Sequence, residues 1–313
     1  MQKVKTFASG RAQKIKELND RTIRMNKTTG SHLVGNIVTY ALLIALSIIF
    51  LVPYIYMFLG SLMSATDIAD ISVKWIPRAP MLDNYRNAVM VLDYWKRLLF
   101  SVFITGMCVV GQVVVSAFVG YGLGRIKFKL NGLLFVLVIF SMIIPPQTII
   151  VCQYLMYAQF GVVHTWVPMV LPCFFGLGLN GGLFVFLFRQ FFRAAPRELE
   201  NAAMIDGTGF FGAFFRVMLP CASSQILVVS ILSMIWQWNN YFEPSVYINN
   251  QDSYTLTMML QSAVYYEAVA GSLSFTSGLQ LAATVLCALP IIIVFFILQK
   301  RFIKGIETTG LAN

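Results

Sequence analysis

Runs without a charged side chain divide the chain into blocks. They cover residues 28–66, 98–124, 130–188, 217–242 and 268–299. A charged group at the centre of a bilayer helix costs roughly 2.5–3.5 kcal/mol on insertion scales, so membrane spans must fall inside such blocks. The third block holds 59 residues. As one helix at about 1.5 Å per residue it would run roughly 90 Å, about three times the hydrocarbon thickness. It must fold back once, and its most polar middle point is Gln159-Phe160-Gly161 with His164-Thr165. Five blocks thus predict six helices, near 33–60, 98–123, 131–155, 165–188, 218–246 and 276–299.

Composition agrees with this reading. Of 313 residues, 58% are hydrophobic and 12% charged. A soluble domain carries about 25% charged residues, so too few polar groups exist here to cover a water-facing surface. A disordered chain is excluded for the same reason. The expected fold class is an all-α polytopic membrane protein. Residues 1–30 are polar and basic, with no short apolar core and cleavage site, so the first apolar tract should be a retained span.

The charges report sidedness. With the N-terminus placed inside, the inner segments 1–32, 124–130, 189–217 and 300–313 hold 18 Lys and Arg against 6 acids. The outer segments hold 5 against 7. That is the positive-inside pattern for six spans with both termini cytoplasmic. The net charge of +10 is therefore a topology signal, and no motif for nucleic acid accompanies it.

Three further features are legible. The five cysteines, Cys108, Cys152, Cys173, Cys221 and Cys287, are odd in number and widely spaced, and read as buried free thiols. Gly120-x-x-x-Gly124 and Gly178-x-x-x-Gly182 either let helices approach closely or reflect the glycine content common in membrane helices. Pro145-Pro146 should kink the third span, either to line a pathway or to suit packing.

Catalytic patterns are missing. The chain has no phosphate-cradling G-x-x-x-x-G-K-[ST] loop, no H-E-x-x-H and no G-x-S-x-G elbow. No carboxylate pair lies within a span, and only Glu243 borders one. Carriers driven by protons or voltage place ionisable groups within their helices. The chain reads as a pathway without its own engine; a stand-alone secondary carrier or channel is the alternative.

That absence gives weight to residues 189–220, RQFFRAAPRELENAAMIDGTGFFGAFFRVMLP. Glu198-Leu199-Glu200-Asn201-Ala202-Ala203-Met204-Ile205-Asp206 makes a short helix. Pro196 suits its first turn, and its early acids favour the positive N-terminal end. Gly207 and Gly209 permit a turn afterwards. Met204 and Ile205 would then stand as an apolar knob on an exposed helix, which implies a partner groove.

This segment resembles the EAA loop of binding-protein-dependent ABC importer permeases. The family pattern is E-A-A, three residues, G, nine residues, I-x-L-P. Ala202, Ala203, Gly207, Val217, Leu219 and Pro220 stand in register. Asn201 replaces the leading Glu, with Glu200 beside it, and Val217 replaces Ile. Residues 198–207 also follow the carbohydrate branch's E-L-x-x-A-A-x-I-D-G. The resemblance extends over most of 33–305: Pro145 and Gln147, Thr165 and Pro172, Phe188-Arg189-Gln190, Trp238-Asn239 with Phe242 and Pro244, Gln299-Lys300, and Phe302-Ile303-Lys304-Gly305. The tail Thr309-Gly310-Leu311-Ala312-Asn313 departs from the branch's G-A-x-K-G.

The resemblance implies a type I importer permease fold in the plasma membrane of a prokaryote. It implies a second homologous permease, a dimer of ABC ATPases and an external solute-binding protein as partners, besides membrane lipid. ATP and magnesium would be held by the ATPases, with no cofactor in this chain. It implies a basic N-terminal segment 1–32, a permease domain 33–305 with its coupling loop at 190–220, and a tail 306–313. Glu200, Asn201, Ala202, Ala203, Met204, Ile205, Asp206 and Gly207 would couple to an ATPase. A sugar or oligosaccharide would be carried, with amino-acid or peptide import as the nearest rival. Polar and aromatic groups suited to sugar hydroxyls and ring faces are Asn180, Gln237, Asn239, Asn240, Tyr241 and Glu243. Aromatic residues of loop 61–97, including Trp75, Tyr85, Tyr94 and Trp95, and Tyr254, Tyr265 and Tyr266 of loop 247–275, serve either interfacial anchoring or docking of the binding protein.

Overall fold

The computed structural model describes residues 35–270 and 277–310, and side chains outside 265–277 and 301–310. The basic segment 1–32 and the last residues, 311–313, lie outside the described residues, as do the side chains of Tyr265 and Tyr266. No strand occurs among the described residues.

Residues Met1–Leu59 and Gly60–Asn313 form two units. Helix α1 (Gly35–Gly60), all but its last residue in the first unit, is long and apolar enough to cross a membrane. The second contains two more such helices, α4 (Tyr94–Arg125) and α15 (Ser277–Gly310, apolar over Gly278–Lys300). Two bent pairs reach spanning length only together. They are α5 (Asn131–Ile143) with α6 (Pro146–Gln159), and α10–α11 (Phe210–Cys221) with α12 (Ser223–Trp238). The described residues thus hold three to five apolar spans, and the protein is a multi-pass membrane protein. Large apolar side chains stand exposed along α1, α5 and α15, the surface expected to face lipid.

Short elements link these spans. Helices α2 (Ala65–Ala69) and α3 (Asp83–Val91) precede α4, while α13 (Phe242–Tyr247) and α14 (Leu256–Ala270) separate α12 from α15.

The expected kink at Pro145-Pro146 is a full break, bending α5 against α6 by 100°. Pro146 occupies the first turn of α6, where its missing N–H costs nothing, and Pro145 caps it in extended conformation. The chain folds back where its polarity peaks. Helix α6 ends at Gln159, Gly161 and His164 take positive φ of 68° and 70°, and the His164 amide donates to the Tyr247 carbonyl at 2.9 Å.

The fourth predicted helix, 165–188, is not continuous. α7 (Val167–Val170) and a 3-10 turn (Leu171–Phe175) stop at Gly176, and α8 (Gly181–Ala194) resumes past Asn180. Gly176 and Asn180 both adopt left-handed conformations, φ 73° and 60°. Gly178 lies within this break, so Gly178-x-x-x-Gly182 is not a helical packing motif. Gly120-x-x-x-Gly124 is one. A Cβ on Gly120 would lie 2.6 Å from the Phe188 Cβ, and one on Gly124 3.1 Å from the Arg189 carbonyl oxygen. Close approach of α4 and α8 depends on both glycines.

α4 is the central helix. Ile104, Cys108, Gln112, Ser116, Gly120 and Leu123 form part of one buried stripe at helical spacing. Near its Arg125 end, Tyr121 packs among Phe184, Phe188, Phe192, Phe214 and Met218. Near its Tyr94 end, Trp238, Leu256, Leu260 and Ala283 form a second core, and Tyr157, Met169, Cys173 and Tyr247 belong to a third. All five cysteines are free, but only Cys108, Cys173 and Cys287 are buried. Cys152 and Cys221 are exposed.

Candidate functional site

The motif segment forms α9 (Glu198–Ile205). Glu198 and Glu200 stand in its first turn, where the helix dipole favours them. Its end is a glycine turn. Gly207 takes φ 82°, its amide donates to the Met204 carbonyl at 3.1 Å, and the Thr208 amide reaches the Ala203 carbonyl at 3.1 Å. These bonds occupy carbonyls that a helix end otherwise leaves open.

α9 has two faces. Glu200 and Ala203 turn inward and are buried. Asn201, Ala202, Asp206 and Gly207 are exposed. Met204 is 47% exposed and Ile205 86% exposed. The apolar pair therefore stands out from the helix.

Arg125, the last residue of α4, meets the inward face. Its Nε lies 3.4 Å from Glu200 Oε1, with side-chain exposures of 5% and 11%. Its Nη2 donates to the carbonyls of Ala195 at 2.7 Å and Pro196 at 3.2 Å. Sequence reasoning counts Arg125 only as a charge marking the end of a span. Its adjacency to Gly124, which brings α8 close, is the available signal. On α8, Arg189 donates to the Leu123 carbonyl at 3.4 Å and covers the Phe135 ring at 3.5 Å from its centroid.

The polar residues expected along a solute pathway do not form one cluster. Asn240 Nδ2 donates to Glu243 Oε2 at 2.8 Å, tying the start of α13 to its preceding turn. Glu243 lines a small cleft with Gln153, Tyr157, Gly178, Leu179 and Tyr247. Asn180 adjoins that cleft as the residue before α8. Gln237 faces the Cys173 sulfur at 3.7 Å, while exposed Asn239 bonds back to the Ile235 carbonyl at 2.8 Å. Tyr241 is exposed and does not line the cleft.

Sequence reasoning misses Gln153, Tyr157 and Tyr247, whose Tyr247 hydroxyl donates to Gln153 Oε1 at 3.0 Å. It also misses Gln112, which is fully buried on α4 and accepts from the Ser233 hydroxyl. Amides and tyrosines scattered through apolar spans carry no spacing signal. Among the described residues, no group of three or more His, Cys, Asp or Glu could hold a metal.

Known proteins resemble this chain along most of its length. It is 26% identical over 283 residues to the sn-glycerol-3-phosphate transport system permease protein UgpE of Brucella suis biovar 1, covering 88% of this chain and 97% of that protein. The arabinooligosaccharides transport system permease protein AraQ of Halalkalibacterium halodurans is 29% identical over 261 residues, covering 82% and 90%. The fold matches a chain from the crystal structure of a bacterial ABC transporter involved in the import of the acidic polysaccharide alginate. That match has a TM-score of 0.73 at 22% identity and covers 87% of this chain and 98% of the other. Residues 112–308 match the family of binding-protein-dependent transport system inner membrane components, and the chain belongs to that family.

Proposed function

We propose that this protein is the permease subunit of an ATP-driven importer of a sugar, oligosaccharide or related polyhydroxylated solute. The observation that carries the reading is α9: a short helix at the family-motif register, closed by a glycine turn, presenting Met204 and Ile205. An apolar pair exposed on a helix that lies outside the spans needs a partner groove to cover it. In this reading the groove belongs to an ATPase subunit, and Asn201, Ala202, Asp206 and Gly207 flank the contact. Closure of the ATPase pair around ATP and magnesium pushes α9, and the spans tilt. This chain supplies the pathway and hydrolyses nothing.

The proposed topology has six spans with both termini cytoplasmic, as the asymmetry of Lys and Arg supports. The fourth span is then the broken pair α7–α8, buried among its neighbours, where irregular backbone is tolerated. The partners are a second homologous permease, two ATPases and an external solute-binding protein, in a prokaryotic plasma membrane. The names of the relatives support the solute class: glycerol 3-phosphate and arabinooligosaccharides both present more than one hydroxyl group. Asn180, Gln237, Asn239, Asn240, Tyr241 and Glu243 are the residues of this chain proposed to meet it.

Co-purification and reconstitution test the reading. A tagged chain should bring down a second permease and an ATPase dimer, and vesicles holding the complex should take up solute only with ATP inside the cytoplasmic compartment. Uptake by this polypeptide alone would establish the secondary-carrier alternative.

A further inference from the structure

Two exits leave α9, and they differ in stiffness. Toward the N-terminus, Arg125 gathers the end of α4, the carbonyls of Ala195 and Pro196 after α8, and Glu200 on α9 into one knot. Helix α8 is fixed to α4 by the glycine approach at Gly120 and Gly124 and by the packing of Tyr121 against Phe192. Toward the C-terminus, α9 continues through Gly207 and Gly209 into α10 and a π-helical turn at Phe214–Met218. Beyond it, the chain bends by 73° into α12. Glycines and a wide turn yield where a buried ion pair does not.

The environment of the pair makes it costly to open. Among the described residues, the other ion pairs, Asp70–Arg78, Lys96–Asp93 and Lys96–Asp252, have side chains at least one-third exposed and are screened by water. Arg125 and Glu200 are almost wholly desolvated, so separating them leaves an uncompensated buried charge on each side. The pair therefore resists opening when α9 is displaced.

We infer that Arg125 and Glu200 form the joint through which displacement of α9 enters α4 and α8 as one body, while α12 follows through the glycine-rich segment. This deepens the importer reading and rests on it. Glu200 is then a positioning residue facing this chain's own span, and contact with the ATPase falls to the exposed Asn201, Ala202, Met204 and Ile205. Arg125 acts by its fork: Nε lies against the carboxylate as an ion pair, and Nη2 donates to the two carbonyls. Lysine carries the charge but lacks the fork.

The test uses the full importer complex in vesicles, with ATP hydrolysis and solute uptake measured in parallel. The variants are Glu200→Gln, Arg125→Lys, the neutral pair Arg125→Gln with Glu200→Gln, and the exchanged pair Arg125→Glu with Glu200→Arg. The neutral pair leaves no lone buried charge; Gln at 200 keeps the shape of Glu, while Gln at 125 is shorter than Arg and gives up the fork. Glu200→Gln and the neutral pair are expected to assemble and hydrolyse ATP within twofold of the parent, with solute moved per ATP falling at least fivefold. Arg125→Lys should fall between. The exchanged pair should recover part of the loss, limited because Glu at 125 cannot donate to the Ala195 and Pro196 carbonyls.

Parental solute per ATP in both Glu200→Gln and the neutral pair would overturn the joint. So would a parallel loss of hydrolysis, uptake and assembly in every variant, which marks a purely structural pair. Parent vesicles that take up solute without ATP would instead remove the importer reading, before any variant is compared.

Discussion

The Gln112 side-chain amide donates to the main-chain carbonyl of Leu179 at 2.7 Å, joining the middle of α4 to the break between α7 and α8. A broken helix inside a bundle frees carbonyls that lipid cannot satisfy. Gln112 supplies the missing donor, and its carbonyl accepts from Ser233 on α12, so one side chain bridges three segments. Gln112→Leu should lower stability by about 1–3 kcal/mol, the range for an orphaned buried polar group. Thermal unfolding in detergent reads this as a lower midpoint. An unchanged midpoint would mean the break needs no side-chain support.

Gly120 sets the distance between α4 and α8. An added Cβ would meet the Phe188 Cβ at 2.6 Å and the Arg189 amide nitrogen at 2.8 Å. Backbone cannot give way as a side-chain tip can, so Gly120→Ala should cost about 1–3 kcal/mol by overpacking. A Cβ on Gly122 would meet no atom within 4 Å, and Gly122→Ala is the matched control, expected to be neutral. Equal midpoints for the two variants would refute close packing at Gly120.

Gly207 separates strain from bulk. Its φ is 82°, yet a Cβ there would meet nothing within 4 Å. Only conformation limits the position, and a left-handed residue with a Cβ costs about 1–2 kcal/mol. Gly207→Val should reorient the end of α9 and lower uptake per ATP severalfold. Gly207→Asn, which tolerates this conformation, should retain most of it. Equal activity of all three in the assembled complex would show that the turn plays no part in coupling.

Asp252 ties the segment after α13 to the start of α4. The Lys96 ammonium donates to its carboxylate at 3.0 Å and holds the carboxyl below its ordinary value of 3.8. A depressed carboxyl pKa stabilises the folded state above the ordinary value, and the contribution disappears as pH falls through the folded value. Amide protection at residues 250–254, taken relative to the intrinsic exchange rate at each pH, should therefore fall below pH 3.8, and Lys96→Met should remove that step. Protection that falls as the pH is raised would have the wrong sign.

Much of this architecture is legible in the sequence because charge is costly in lipid. The charge-free blocks locate α1, α4 and α15, and the polar point at 159–165 locates the fold-back. α9 is found within one residue at its end, since Pro196, early acids and Gly207 are local signals. The break at Gly176–Asn180 is not legible, because apolar residues look alike whether a span is continuous or interrupted. Pro145-Pro146 announces a kink but not its 100°, because a proline removes a helix bond without fixing the angle that follows. The inward turn of Glu200 is hidden for another reason. Its partner Arg125 is 75 positions away in the chain, and only the approach of α4 and α8 brings them together.

The central claim is that α9 docks on an ATPase. A photo-crosslinking side chain at position 205, where Ile205 is 86% exposed, reports its neighbour directly in the purified complex. Irradiation should yield an adduct with the mass of this chain plus one ATPase subunit, and the adduct should vanish when the ATPases are left out. An adduct with the solute-binding protein instead, or reaction at position 205 only with reagents confined to the external face, would contradict it.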